Sequence, residues 1–237
     1  MKAYGLLAAC AVALVCFDAR GEDSPESDEV LILTLTQDAN FGFYLGGTGT
    51  VPIDDRTAFR VYGDLYTNSV FATDRGTGAW VEAGAGVEWL LTESLTLGVQ
   101  LGLSNGTVIA GSTEPIVAEG LVPGVDVTWS VSPIEVALFA AYYAGIRRQS
   151  DAGIDYLITG GTVTGELARW VSVGALYELI EVWVPRVDDR FTEYQWLGPV
   201  ATFQFGDNAG LLLSGGWDFA DRGASEFYRA QLTLASD

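Results

Sequence analysis

The chain has 237 residues, 12 basic and 31 acidic side chains, a formal net charge of -19, and no histidine. That balance excludes a nucleic-acid binder, which needs clustered Lys and Arg on the phosphate backbone, and it removes His-based triads and His-containing metal sites. Mean hydropathy is nevertheless +0.25, so this acidic chain carries more apolar content than water requires, and something other than water is expected to face it.

The chain opens MKAYGLLAACAVALVCFDARGEDS. One Lys, an apolar run from Gly5 to Phe17, and small residues at Ala19 and Gly21 form the pattern of a secretory signal peptide. We expect residues 1–21 to be that leader, cleaved after Gly21. The apolar run is short of the roughly 18 residues that span a bilayer as a helix. Leu7-Ala8-Ala9-Cys10 resembles a lipoprotein signal but comes too early in the leader for lipid attachment. Both cysteines, Cys10 and Cys16, and Lys2, the single Lys, fall inside it. The mature chain then has neither a thiolate nor a Lys nucleophile. Residues 22–29, EDSPESDE, are expected to be a disordered acidic linker.

From residue 30 onward an alternating apolar period of two recurs almost continuously, and no window sustains a capped helical period. Strands are expected at about 30–36, 40–50, 57–69, 79–91, 94–106, 118–131, 134–147, 153–166, 169–183, 192–206, 209–220 and 226–235. Short connections (VPIDDR, TES, Ser132-Pro133, Leu167-Ala168, Asp207-Asn208) alternate with longer ones (FATDRGTG, TVIAGSTEP, RRQSD, VPRVDDR, DRGAS). This is the asymmetry of periplasmic turns and extracellular loops. Termini on one side require an even strand count, and a tight turn at Gln37-Asp38-Ala39-Asn40 makes the count twelve, with ten as the fallback. The expected fold is therefore all-β: residues 30–237 form a closed antiparallel up-and-down transmembrane β-barrel.

The faces support the same architecture. In AWVEAGAGVEWLLTESLTLGVQLGLSNG, Val81, Val87, Trp89, Leu97, Val99, Leu101 and Leu103 fall on one face, and Glu82, Glu88, Gly98, Gln100, Gly102 and Ser104 on the other. A soluble barrel would coat its outer face with charge. Here the polar face is Gly, Ser, Thr, Gln and isolated acids, which suits a lumen. Trp80, Trp89, Trp129, Trp170, Trp183, Trp196 and Trp217 are expected in aromatic girdles, with Trp129 and Trp196 close to short-turn ends. The glycines are expected to make room for large side chains packed across the lumen.

The alternation sends Arg60, Asp64, Glu82, Glu88, Gln100, Asp126, Glu135, Tyr143, Arg147, Asp155, Glu178, Asp218 and Arg229 inward as candidate lumen-lining residues. No catalytic residue, metal site or cofactor is expected. The pairs Asp54-Asp55 and Asp188-Asp189 sit in turns, where acids are ordinarily just solvated. Glu82 and Glu88 lie six positions apart, about 20 Å along a strand. They cannot share a site.

The leader, acidic linker and alternating strands resemble small outer-membrane β-barrel proteins of Gram-negative bacteria. More narrowly, QDANFGFY (37–44), VEAGAGVEW (81–89), LGLSNG (101–106), AAYYAG (140–145) and YQWLGP (194–199) are similar to an uncharacterised family of secreted bacterial proteins of unknown function. That resemblance brings no functional residues with it. The chain ends LTLASD, where outer-membrane barrels usually end on an aromatic residue. The expected location is the outer membrane, the expected partners are its lipid bilayer and the barrel-assembly machinery, and the expected role is a narrow cation-preferring pore for small solutes. Two alternatives stay open: a non-conducting structural or surface-interaction barrel with a filled lumen, and a soluble periplasmic β-barrel holding an apolar ligand.

Overall fold

The computed structural model describes residues 30–39, 41–67, 80–107, 109–110, 112, 115–148, 153–220 and 226–236. The expected leader and linker, and the FATDRGTG and DRGAS loops, lie outside the described residues. Twelve antiparallel strands form a closed transmembrane-type barrel: β1 (Val30–Asp38), β2 (Gly42–Asp54), β3 (Thr57–Thr67), β4 (Trp80–Thr92), β5 (Leu95–Gly106), β6 (Ile116–Val131), β7 (Ile134–Gly145), β8 (Asp155–Ala168), β9 (Val171–Val184), β10 (Asp189–Gln204), β11 (Ala209–Asp218) and β12 (Glu226–Ser236). Each pairs with its sequence neighbours, and β1 closes the ring on β12, from Leu31 opposite Ser236 to Asp38 opposite Arg229. An all-β chain of this kind can cross a bilayer because closure leaves no backbone N–H or C=O unpaired along an edge.

The strand count depends on the turn after β1. Phe41 N–H donates to Asp38 Oδ1 at 2.7 Å, so an Asp side chain substitutes for a backbone acceptor and reverses the chain in a few residues. The expected alternation then holds on both sides of the wall. Val99, Leu101, Leu103, Val125, Trp129, Leu138, Val163, Leu197 and Leu213 are exposed on the outer face, while Glu82, Ser104, Tyr143, Glu178 and Trp196 are buried inside. An outer face of this apolar content is suited to hydrocarbon.

Two strands begin earlier than expected, and bulges explain both. In β10 the register slips between Thr192 and Tyr194. The slip reverses the period and keeps Phe191 on the same face as Tyr194. In β6 the slip lies opposite Ser104 to Gly106, beside Ala118 at φ 52°. An inserted residue breaks the two-residue rhythm, so alternation no longer reports those strand ends.

The girdle expectation is corrected at two positions. Trp89, Trp129 and Trp170 are exposed at the short-turn end and Trp217 at the loop end, as interfacial aromatics are. Trp80 and Trp196, however, are 6% and 1% exposed and face the interior. Trp196 lies opposite Asp218 toward the loop end of the wall, not near a short turn. Tryptophan packs as well across a lumen as at an interface, so residue type alone could not separate the two.

Glycines allow the wall to close tightly at one point between β10 and β11. A Cβ on Gly198 would stand 2.3 Å from Gly215 O and 2.8 Å from Gly216 Cα; a Cβ on Gly216 would stand 2.4 Å from Leu197 O and 2.6 Å from Gly198 Cα. Both obstacles are backbone, so neither can swing aside. Gly198→Val is expected to destabilise the refolded barrel by at least about 1–3 kcal/mol, the range for overpacking, read as a lower urea midpoint. On the outer face, Val87 and Val99 are cross-strand partners. Arg at either position is expected to cost about 2–4 kcal/mol near a bilayer midplane and to abolish the heat-modifiable gel shift that marks assembly. Glu88→Gln, on the inner face, is expected to leave that shift intact.

Candidate functional site

The inner face divides into a filled loop-side half and a charged region below it. Toward the loops, Tyr44, Tyr66, Trp80, Tyr143 and Tyr156 form a continuous ribbon of rings. Centroids are 4.9 Å apart for Tyr44 and Tyr66, 4.5 Å for Tyr66 and Trp80, 5.5 Å for Trp80 and Tyr143, and 4.2 Å for the stacked pair Tyr143 and Tyr156. From the opposite wall, Tyr194, Trp196 and Phe227 stack at 4.1 and 4.8 Å. Phe41 joins the two groups, 5.7 Å from Tyr66 and 6.2 Å from Tyr194. Each such pair adds stabilisation beyond the area it buries.

Between β5 and β6, Ile109 packs into the same buried cluster as Trp80, Tyr143 and Tyr156. Ile109 and Ala110 are fully buried; Ala110 N–H donates to Glu119 Oε2 at 2.9 Å, and Ile154 N–H donates to Ile109 O at 3.1 Å. The Glu119 carbonyl in turn accepts the N–H groups of Ile146 and Arg147. One acidic residue thus ties three loop-side segments together.

Charge inside the barrel is organised in three nodes. Arg229 is held bidentately by Glu178, with both N···O distances 2.8 Å, and reaches Asp38 Oδ2 at 3.3 Å; its guanidinium also lies over the Trp196 ring, 5.3 Å from the centroid. Tyr194 O–H donates to the same Glu178. Lower down, Arg60 pairs with Asp126, approaches Glu88 at 3.7 Å, and donates to Gln100 Oε1 at 2.9 Å. In the third node, among the described residues, no cation pairs with the acids: Glu82 accepts from Tyr62 O–H at 2.7 Å and Tyr143 O–H at 2.8 Å, and Asp64 stands directly opposite Glu82 across the β3–β4 ladder. Breaking a buried pair such as Arg229–Glu178 leaves an uncompensated charge, a loss of about 3–5 kcal/mol.

Glycines open the space these contacts need. A Cβ on Gly102 would lie 2.3 Å from Tyr62 Oη, and one on Gly84 would lie 2.6 Å from the Tyr62 ring. Tyr62 therefore lies flat across two neighbouring strands to reach Glu82. Below the aromatic layer is a cavity of about 390 Å³, lined among others by Tyr44, Arg60, Tyr62, Asp64, Glu82 and Tyr143.

Of the thirteen candidates, Arg60, Asp64, Glu82, Glu88, Gln100, Asp126, Tyr143, Glu178 and Arg229 converge on these nodes. Glu135 lies at the short-turn rim, accepting from Ser130 Oγ at 3.3 Å. Asp218 lies at the opposite end, where its Oδ1 accepts the N–H groups of Gln195 and Ala220, both at 2.9 Å. Two candidates are corrected. Arg147 lies beyond the end of β7, exposed, and donates to Val117 O at 3.0 Å. Asp155 precedes the inward Tyr156 and therefore takes the other face, where it pairs with Arg148 and accepts from Gly145 N–H and Tyr142 O–H. The polar and apolar residues of β8 are too evenly mixed to fix its parity from sequence.

The alternation that identified Arg60 and Asp64 also places Tyr62 and Tyr66 on their face, and both belong among the interior residues. Asp38 was concealed in its turn, and Glu119 by the bulge at Ala118. No sequence signal marks Ile109 or Ala110 as buried.

Solved structures that share this fold include the KdgM porin, at 9% identity and a TM-score of 0.53 over 87% of this chain and 99% of that one. That porin has also been solved in complex with disordered oligogalacturonate, at 10% identity and a TM-score of 0.52 over 88% and 99% of the two chains. The COG4313 outer membrane channel from Pseudomonas putida F1 aligns at 13% identity and a TM-score of 0.57, covering 92% of this chain and 98% of the channel. At such identities the likeness is one of fold alone. No curated protein sequence matches the chain. A family description does match, over residues 1–235, and the chain belongs to that family, the family of unknown function DUF6733.

Proposed function

We propose that this barrel resides in the outer membrane and offers small cations a narrow passage that excludes polyanions. The supporting observation is the charge imbalance of the inner face: Asp38, Asp64, Glu82, Glu88, Asp126, Glu135, Glu178 and Asp218 against Arg60 and Arg229. Even with both arginines paired, the remaining field is negative, and acidic rings in a pore concentrate cations. Residues 1–21 act as the cleaved leader that delivers the chain to the periplasm, 22–29 as a linker, and the barrel-assembly machinery inserts residues 30–237. No catalytic role is assigned, because the interior offers carboxylates and phenols with no histidine, thiol or lysine beside them. Oligogalacturonate, which the KdgM porin holds, is itself a polyanion and would meet repulsion here.

A second reading has its own support. The aromatic layer and Ile109 fill the loop-side half, with Tyr194, Trp196 and Ile109 each 2% exposed or less, which suits a barrel whose lumen is structural. Planar-bilayer recordings separate the two. Under a KCl gradient, an open barrel is expected to show reversal potentials of cation selectivity, shrinking as the screening length falls from about 10 Å at 0.1 M to about 3 Å at 1 M salt. The double variant Trp80→Ala, Tyr143→Ala is expected to raise unit conductance severalfold by removing the centre of the layer. Anion preference would refute the acidic lumen as the selective element, and silence from wild type and variant alike would leave the structural barrel.

A further inference from the structure

We propose that the cavity beneath the aromatic layer is a binding site for a small organic ammonium ion, its nitrogen lying between Asp64 and Glu82 and its alkyl part against the tyrosine rings. The proposal rests on the reading of the interior as an acidic lumen and names what that lumen would hold.

The arrangement of two acids on this inner face works against stability. Asp64 and Glu82 are direct cross-strand partners on the inner face, and like charges placed opposite each other on a sheet are destabilising. Neither interior arginine relieves them. Among the described residues, Arg60 is committed to Asp126, Glu88 and Gln100, and Arg229 to Glu178 and Asp38. Both Glu82 oxygens are taken by phenol donors, Tyr62 and Tyr143, which fixes the carboxylate without cancelling its charge. Asp64 leans over Gly46, where an added Cβ would stand 2.6 Å from its Oδ1.

The surroundings of the pair define the kind of cation. The cavity of about 390 Å³ is walled by the rings of Tyr44, Tyr62, Tyr66 and Tyr143 together with Arg60 and Arg229, each of which is held by its own acids. Ring faces carry partial negative charge and attract cations, and this volume falls in the range of small-molecule sites. A divalent metal is a poor fit. It wants six or more oxygen ligands, and among the described residues no three acidic, His or Cys side chains gather as a metal-binding group. A primary ammonium instead supplies N–H donors to Asp64 and an apolar tail to the rings.

Calorimetry on the full-length mature barrel, refolded in detergent and checked for heat-modifiable mobility, tests the site without ion flow. The probes are n-butylammonium chloride, sodium n-butyrate and KCl. Butylammonium is expected to bind saturably and the other two to give no saturable heat. Asp64→Asn is expected to weaken butylammonium at least tenfold, while Asp207→Asn, in the exposed turn between β10 and β11, stays within twofold of wild type. If Asp64→Asn does not refold, Glu82→Gln, which keeps the shape of the side chain, carries the same comparison. Binding that KCl matches at equal concentration, or that survives both substitutions, overturns the proposal. So does a folded barrel that shows no saturation, and if that barrel still conducts cations, the pore reading stands while this site falls.

Discussion

The pairing of β1 with β12 is the contact on which the whole molecule depends. A sheet that crosses hydrocarbon must satisfy every backbone N–H and C=O internally, at several kcal/mol for each one left unmade, and an open seam would expose two such rows. Asp38 and Arg229 are the last register pair of that seam, and Arg229 also binds Glu178 of β9, so it bridges the two acids. The backbone ladder and the buried ion node therefore close the same joint. Removing either partner would leave a bare charge beside the one ladder that makes the sheet a barrel.

Much of this architecture could be read from the chain, for a physical reason. A strand between two unlike environments writes each environment into every second residue, so Val99, Leu101 and Leu103 state the outer face as plainly as Gln100, Gly102 and Ser104 state the inner one. The reading fails where the period is interrupted or where both environments accept the same residue. Bulges near Ala118 and Thr192 hid the beginnings of β6 and β10. Asp155 and Tyr156 offered no contrast that could set which of them pointed inward. Trp80 and Trp196 read as girdle residues from sequence yet face the lumen, because an indole suits an interface and a lumen equally well. The interior nodes were only half legible: alternation supplies membership of a face, but the partnership of Arg60 with Asp126, or of Glu82 with Tyr143, depends on which strands curve toward each other across the ring.

The interior has a consistent division of labour. Arginines are few, and each gathers several acceptors; tyrosines outnumber them and complete the carboxylates that arginines do not reach. Glycine supplies the complementary shape. Tyr62 can lie across β4 and β5 because Gly84 and Gly102 present no side chain beneath it, so a small residue in the wall is the counterpart of a large one in the lumen. This explains a polar face rich in glycine without appeal to flexibility, and it links the composition of the inner face to the narrowness of the space it encloses.

The seam also bears on how the barrel comes to exist. Asp38 and Arg229 stand 191 residues apart in sequence, whereas every other ladder joins neighbouring strands. Loop-closure entropy grows with the length of chain enclosed, and topologies that rely on distant pairings fold slowly. Eleven hairpin ladders can form locally while β1 and β12 remain two open edges, each a template for pairing with another chain. By these rules the β1–β12 closure is the step that topology makes slow. Until it occurs, Asp38 on β1 stands apart from Arg229, whereas Glu178 and Arg229 already belong to the same run of strands from β9 to β12. A nascent sheet of this sequence thus carries a carboxylate at its β1 edge and a guanidinium at its β12 edge, opposite charges that favour the joining of its own two edges.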